Sequence, residues 1–416
     1  MPKSMLQKLE ILADAAKYDA SCASSGGGQR NAKSGGIGST TGAGICHAYT
    51  PDGRCVSLLK ILLTNFCRYD CAYCVSRRSS SVERAKFSVD EVVQLTLDLY
   101  RRNCIEGLFL SSGIARSEDD TMSDLVRVAK LLRIDHNFRG YIHLKTIPGA
   151  SEDLIAEAGL YADRLSMNVE LPSETSLREY APEKSAANIK IGMATTRARI
   201  EEATTAREKS AGMIGRAKPP RFAPAGQSTQ MIVGADNASD LSILGASVSF
   251  YASYGLKRVY YSGFSPNGHP SSNLPQVRTP LIREHRLYQA DWLLRFYGFS
   301  LSDLQAAAPS GMLDLQIDPK LAWAIEHRSQ FPIDVNRASR ELLLRVPGLG
   351  MRAVDRIIAS RRTGSLRLAD VARLSGAISR ARPFIVTTDY SPRALLDDAH
   401  LRLKLAPKPV QMSLFE

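Results

Sequence analysis

The chain has 416 residues, 44% of them apolar and 23% charged, with a net charge of +12. That length suits two or three domains with a sizeable core, and the balance excludes a disordered or collagen-like polymer. No apolar run approaches the length of a bilayer span, and the acid-bearing amphipathic start, "MPKSMLQKLEILADAAKYDA", lacks the apolar core of a signal peptide, so a cytoplasmic location is expected.

In chain order, residues 1–45 read as an N-terminal helix followed by a Gly/Ser-rich loop, "SCASSGGGQRNAKSGGIGSTTGAG". From residue 58 a βα rhythm begins. "LLKILLT" (58–64), "GLFLSS" (107–112), "GYIHLKT" (140–146), "RLSMNVEL" (164–171), "TQMIVGA" (229–235) and "RVYYSGF" (258–264) are strand candidates. Helical segments separate most of them, among them "FSVDEVVQLTLDLYRRN" (87–103), opened by a Ser88-x-x-Glu91 capping box. Such alternation predicts a parallel sheet in an α/β fold, either doubly wound or a partial barrel, with its site at the carboxyl ends of the strands. The polar stretch 184–227 is too long for a simple connection and reads as an insertion.

A second unit is expected from about residue 300. Within it, 331–382 carries eleven Arg and no Lys against four acids, a net +7 in an eighth of the chain. Asn336 is placed to cap a helix ending near Arg345, "VPGLG" reads as a tight hairpin, and "MRAVDRIIASRR" as a second helix. This concentration of positive charge points to a polyanionic partner, against the plainer reading of a solvated basic surface.

The most informative stretch is "TNFCRYDCAYCVSRRSS" (64–80), where Cys67, Cys71 and Cys74 are spaced C-x₃-C-x₂-C directly after the first parallel strand. A structural zinc site takes four ligands, commonly two C-x₂-C pairs, and no second pair exists here. A [4Fe–4S] cluster with three protein thiolates and one open iron answers the pattern better. Cys46 and Cys55 in "ICHAYTPDGRC", with His47 and Cys22, are candidates for a second metal or a hydrogen-atom donor, or are plain structural thiols. Cys104, beside a strand start, reads as a core residue.

With an aromatic, Tyr73, before its last cysteine, the C-x₃-C-x₂-C run resembles the signature of the radical S-adenosylmethionine (SAM) superfamily. The resemblance implies a partial (βα)₆ TIM-like barrel at 46–299, with SAM on the open iron and cleaved to a 5′-deoxyadenosyl radical. It implies further that Ser111, Ser112 and Gly113 meet the methionyl amine, that Asn168 and Glu170 hold the ribose, and that "QMIVGAD" (230–236) lies against adenine. An electron donor such as flavodoxin or ferredoxin is implied too. "LLLRVPGLGMRAVDRII" resembles a helix-hairpin-helix motif, with "LADVARLSGAISRARPFI" as a degenerate second copy. This implies a small all-α domain at 300–385 that grips DNA phosphates through Pro347, Gly348, Gly350 and Arg352. Behind the linker of 386–416, Gln411, Met412, Leu414 and Phe415 resemble a peptide that binds the bacterial sliding clamp.

Read together, "LADAAKYDASCASSG", "GICHAYTPDGRCVSLLKILLTNFC", "REHRLYQADWLLRFYGF" and "FPIDVNRA" resemble bacterial DNA modification or repair radical SAM proteins, from about residue 8 to about 385. A cluster-dependent modification or repair of DNA is the function this implies. An RNA-modifying radical SAM enzyme, lesion reversal like that of spore photoproduct lyase, and an accessory iron–sulfur protein without SAM turnover stay open. Arg283, Glu284, His285 and Arg286 read as a helix ion-pair cluster rather than as catalytic groups.

Overall fold

The computed structural model describes residues 3–17, 45–49, 55–211, 218–266, 273–392 and 400–406. Cys22, most of the Gly/Ser-rich loop and the tail residues Gln411, Met412, Leu414 and Phe415 lie outside these residues. The chain forms two compact units, one of Met1–Ala238 with Ser249–Thr279 and one of Ser239–Val248 with Pro280–Glu416. None of the described helices is long and apolar enough to cross a membrane.

The first unit is built on a curled, open seven-stranded sheet. Its strands, in spatial as well as chain order, are β1 (Ile45–Tyr49), β2 (Cys55–Leu62), β3 (Gly107–Ser111), β4 (Tyr141–Lys145), β5 (Arg164–Ser166), β6 (Gln227–Val233) and β7 (Arg258–Gly263). β2 to β7 are parallel and largely buried; β2 and β3 accordingly read as near-continuous apolar runs, whereas β6 buries Gln227, Ser228, Thr229 and Gln230. Before them stands an antiparallel strand that was not expected: β1 pairs with β2 so that Cys46 faces Leu58 and Tyr49 faces Cys55. The helices of this part of the chain are α1 (Met5–Ala16), α2 (Val89–Arg101), α3 (Glu118–Ile134), α4 (Glu152–Tyr161), α5 (Glu174–Tyr180), α6 (Ala186–Ser210) and α7 (Asp240–Tyr254), the last of which contributes to both units. The capping box of α2 is present, with Glu91 N–H donating to Ser88 Oγ at 3.1 Å and Ser88 N–H to Glu91 Oε2 at 2.7 Å.

The reading of 184–227 as an insertion is corrected by α6. Ile189, Met193 and Thr196, at i, i+4 and i+7, form a buried stripe, so α6 is the crossover helix between β5 and β6. Its exposed polar residues, which obscured the periodicity, occupy the other faces and the last three turns. Cys104 is exposed rather than core. Asn103 turns the chain at φ 55°, and Ile105 takes the buried position instead.

The second unit holds α8 (Leu281–Phe296), α9 (Leu301–Ala307), α10 (Pro319–Glu326), α11 (Arg340–Arg345), α12 (Met351–Ser360), α13 (Leu368–Ser375), α14 (Ile378–Ala381) and α15 (Leu401–Leu405). It starts about twenty residues before the expected 300. Arg286 of α8 donates to the carbonyls of Asp314 and Leu315, and Arg283 pairs with buried Asp240 at 2.7 Å, binding 281–296 to this unit. The unit is not wholly α. β8 (Ile333–Asp334) and β9 (Ile385–Val386) pair in parallel and join the two ends of the arginine-rich segment. Ser339, not Asn336, caps α11, because both ends of the Asn336 amide bond the backbone of Leu366.

Candidate functional site

The segment carrying the three cysteines leaves β2 after Leu62 and is zipped by backbone hydrogen bonds to the end of β3. Leu63 N–H donates to Ser111 C=O at 2.8 Å, Gly113 N–H to Thr64 C=O at 2.7 Å, and Arg68 N–H to Ile114 C=O at 2.7 Å. A Cβ on Gly113 would lie 2.5 Å from the Phe66 carbonyl oxygen, so only glycine permits this approach. Two further residues, which the motif did not flag, shape the loop. The Arg84 guanidinium donates to the carbonyls of Asn65, Ser76, Arg77 and Ser80, gathering both ends of the segment around one planar group. The Asp70 carboxylate accepts from the Ser79 N–H and hydroxyl, and these bonds hold it below its usual carboxylate range.

Cys67, Cys71 and Cys74 all line one cavity of about 190 Å³ at the carboxyl ends of the strands. Cys71 is buried, and Cys67 and Cys74 are half-buried. Burial pushes the Cys71 thiol up to about 11 and the Cys74 thiol up to about 12, so iron binding there must displace protons.

The sheet completes the cavity wall with Ser111, Lys145, Asn168 and Ser262, each at or close to a strand end, and with Gln230 from the middle of β6. Ser112 and Gly113 border it as well. Asn168 is buried, and its Oδ1 has no hydrogen-bond partner among the described residues, while its Nδ2 donates weakly to Gln230 Oε1 at 3.4 Å. Beneath this layer His143 Nε2 meets Ser166 Oγ at 2.5 Å, which meets Ser228 Oγ at 2.6 Å. Burial, with Arg164 and Lys145 nearby, keeps His143 well below its usual value and therefore neutral.

Beside the cysteines stands an ion pair that sequence reading missed in part. Glu170 was singled out; its partner Lys184 was not. Their separation is 2.6 Å, both are nearly buried, and the Lys184 ammonium lies 5.9 Å from the centre of the Tyr73 ring. Burial opposes the Lys184 charge, but Glu170 and the sulfurs of Cys71 and Cys74 outweigh it and raise its proton affinity. Glu170 itself sits at φ 64°, a left-handed conformation unusual for its type, held by bonds to Gln230 and Ile232. Only the lysine's place ahead of the Ser185 helix cap marked it, which is a weak signal.

Residues 61–207 match the family model of the radical SAM superfamily. This stretch is a radical SAM domain. Domains of this superfamily use a [4Fe–4S] cluster and S-adenosylmethionine. Solved structures similar to the chain include the FeFe-hydrogenase maturase HydG from Carboxydothermus hydrogenoformans, at 15% identity, 56% of this chain, 50% of that one and a TM-score of 0.40. Methylornithine synthase (PylB) matches at 14% identity over 57% of this chain and 61% of its own, with a TM-score of 0.41. Coproporphyrinogen III oxidase (HemN) from Escherichia coli matches at 14%, over 55% and 50%, with a TM-score of 0.32. The chain thus spans about half to three-fifths of the length of these proteins. No curated protein matches it.

The residues of the radical SAM domain fit its cofactors in chemical kind. Among the described residues no three ligating side chains converge on a single metal ion. A cluster with each thiolate on a different iron requires sulfurs spread around a cavity instead, and three line this one. The unpartnered Asn168 Oδ1 leaves an acceptor for a hydroxyl or amine of the ligand. Cys46 is not in this cavity; it packs with Val56, Leu58 and Phe109, while Cys55 and His47 are exposed.

The other residue set singled out from sequence lies in the second unit. Pro347 is buried, Gly348 takes φ 80°, and Gly350 precedes α12 with no side chain capping that helix. Arg352 is exposed in its first turn. α13 ends at Gly376, φ 63°, and α14 follows, which gives two successive helix–turn–helix pairs.

Proposed function

We propose that this chain is a radical SAM enzyme that modifies or repairs DNA. The observation that carries the first half is the meeting of three thiols, an unpartnered amide oxygen and a buried lysine–carboxylate pair around one cavity. In this reading Cys67, Cys71 and Cys74 hold the cluster, Ser111, Ser112 and Gly113 meet the methionyl amine of SAM, and Asn168 and Glu170 serve its ribose. When bound, the cluster supplies the electron that splits SAM into methionine and a 5′-deoxyadenosyl radical.

The chain's own residues have defined tasks around that chemistry. Arg84 and Asp70 keep the cysteine segment in one shape before any iron arrives. Lys184 fixes the Glu170 carboxylate and closes the wall beside Tyr73. The apolar lining from Leu62, Ile147 and Phe264 keeps water from a reactive carbon centre.

The DNA half rests on the arginine-rich segment. Gly348, Gly350 and the uncapped start of α12 offer backbone N–H groups, and Arg352 adds charge, as phosphate binding requires. A base in duplex would have to leave the stack to reach the cavity. A flavodoxin or ferredoxin would supply the electron, and Gln411, Met412, Leu414 and Phe415 would tether the enzyme to the sliding clamp.

The test is anaerobic. The reconstituted protein is reduced with dithionite, given SAM, and assayed for 5′-deoxyadenosine with duplex DNA, damaged DNA, RNA or no nucleic acid, with Cys67→Ala as blank. Formation that DNA stimulates and RNA does not is the expected result. No 5′-deoxyadenosine from an intact reduced cluster refutes turnover, and stimulation by RNA alone refutes the DNA assignment.

A further inference from the structure

The helix α8, which carries the "REHRLYQADWLLRF" segment, has a face that the functions above leave unused. Leu281, His285, Gln289, Trp292 and Phe296 recur at i, i+4, i+8, i+11 and i+15, one stripe of the helix, and all five are exposed. Trp292 is 42% and Phe296 40% exposed, and their rings meet edge to face at 5.4 Å. The Arg295 guanidinium lies 4.7 Å from the Phe296 ring centre, and Arg286 orients Gln289 through a 2.9 Å bond to its Oε1. No acid stands on the stripe, since Asp291 is buried against Arg295 and Glu284 lies to one side.

The stripe ends at the arginine-rich segment. Tyr297, the residue after Phe296, receives the Lys320 ammonium 4.7 Å from its ring centre, and the same ammonium donates to Leu349 C=O at 2.6 Å. Arg345 donates to Gly298 C=O at 3.0 Å. The aromatic face and the Pro347–Gly350 loop are therefore neighbours within the second unit.

We propose that this face stacks unpaired nucleobases of a single DNA strand whose phosphates are held at the adjacent loop. Flat rings, a guanidinium and an oriented amide, set beside a segment of net charge +7, match the chemistry of a single strand: π faces on an anionic backbone. The inference rests on the DNA reading above and adds to it a preference for strand over duplex at this helix. A strand stacked here would keep a displaced or flipped segment from closing again.

The chain has only two tryptophans, and the other, Trp323, is 3% exposed, so quenching by a ligand on the surface reports Trp292. The full-length protein is titrated with a thymidine oligonucleotide, following tryptophan emission, and with labelled single strand and duplex of equal length, following anisotropy at several salt concentrations. Trp292→Phe supplies the emission blank; Trp292→Ala and Phe296→Ala, checked for unchanged melting, supply the affinities. We expect quenching by the single strand that Trp292→Phe lacks. We also expect a loss of about five- to a hundred-fold in single-strand affinity in the alanine variants, with duplex affinity and its salt dependence unchanged. Binding of the single strand without quenching, and without loss in the variants, overturns the stacking face and leaves the phosphate loop standing. Absence of binding to either nucleic acid at low salt overturns the DNA reading itself. Self-association that masks Trp292 and is abolished by Trp292→Asp assigns the face to a second copy and overturns the proposal.

Discussion

Lys320 offers a sharp test of the energetics of the second unit. It lies one turn before Trp323 on α10, is 7% exposed, and reaches the hairpin through its bond to Leu349 C=O. Burial lowers its proton affinity from the ordinary 10.5 to about 7, with Asp318 opposing. At about 1.4 kcal/mol per tenfold change in proton affinity, the buried charge costs up to about 5 kcal/mol at and below neutral pH. The Leu349 carbonyl and the Tyr297 ring both favour the ammonium, which makes that figure an upper bound. Between pH 7 and 10.5 the unfolded chain keeps a proton that the native amine has released. Unfolding then takes up a proton, so this group's contribution to stability rises as pH rises through that window. Lys320→Met removes the titration but leaves Leu349 C=O without its donor, at about 1–3 kcal/mol. The variant should therefore match or exceed the parent in stability near pH 6 and fall below it near pH 10. Urea unfolding in a Trp292→Phe background, where buried Trp323 is the sole tryptophan and shares the helix, reads the difference. Parallel stability curves from pH 6 to 10 would refute the argument.

Three other outcomes are expected. Glu170→Gln strips Lys184 of its charge partner in a nearly buried site and should cost about 3–5 kcal/mol, seen as a lower melting temperature of the metal-free protein, with part of the loss recovered in Glu170→Gln/Lys184→Met. Gly113→Ala forces a methyl group to within 2.5 Å of the Phe66 carbonyl oxygen and should move the cysteine loop, so reconstituted protein should hold clearly less iron and sulfide per chain than the parent, whereas Cys104→Ala should load normally. Gly348→Ala meets both a φ of 80° and a contact of 2.8 Å with the Ala377 carbonyl oxygen, and should destabilise the second unit by about 1–3 kcal/mol in the Trp323 unfolding assay and weaken DNA binding.

Much of the first unit could be read without coordinates because the signals involved are short-ranged. A capping box spans four residues, a buried parallel strand announces itself as an apolar run, and the C-x₃-C-x₂-C spacing lies within one loop. Each depends on bonds the chain makes with its near neighbours, so Ser88, β3 and the cysteine segment were placed correctly. The second copy of this logic, at "VPGLG", predicted a turn, and Leu349 N–H does return to Val346 C=O at 3.2 Å.

What stayed hidden was decided by groups distant in sequence. Asn336 looked like a helix cap because local pattern favours it there, yet its amide is taken by Leu366 thirty residues on. α6 looked like an insertion because most of its length is polar; only packing reveals that Ile189 and Met193 suffice to dock it. Cys104 looked buried until the turn at Asn103 gave its place to Ile105. By itself the sequence determined the spacing of three thiols within one loop, the strand order's rhythm and where charge accumulates, since these follow from residue type and local spacing. The tertiary structure alone decided that Lys184 neutralises Glu170 beside the thiols, that Arg84 gathers the loop, and that the α8 stripe faces solvent beside the hairpin. Those are matters of distance and burial, and the energy of a charge or an aromatic ring depends on what surrounds it once the chain has closed.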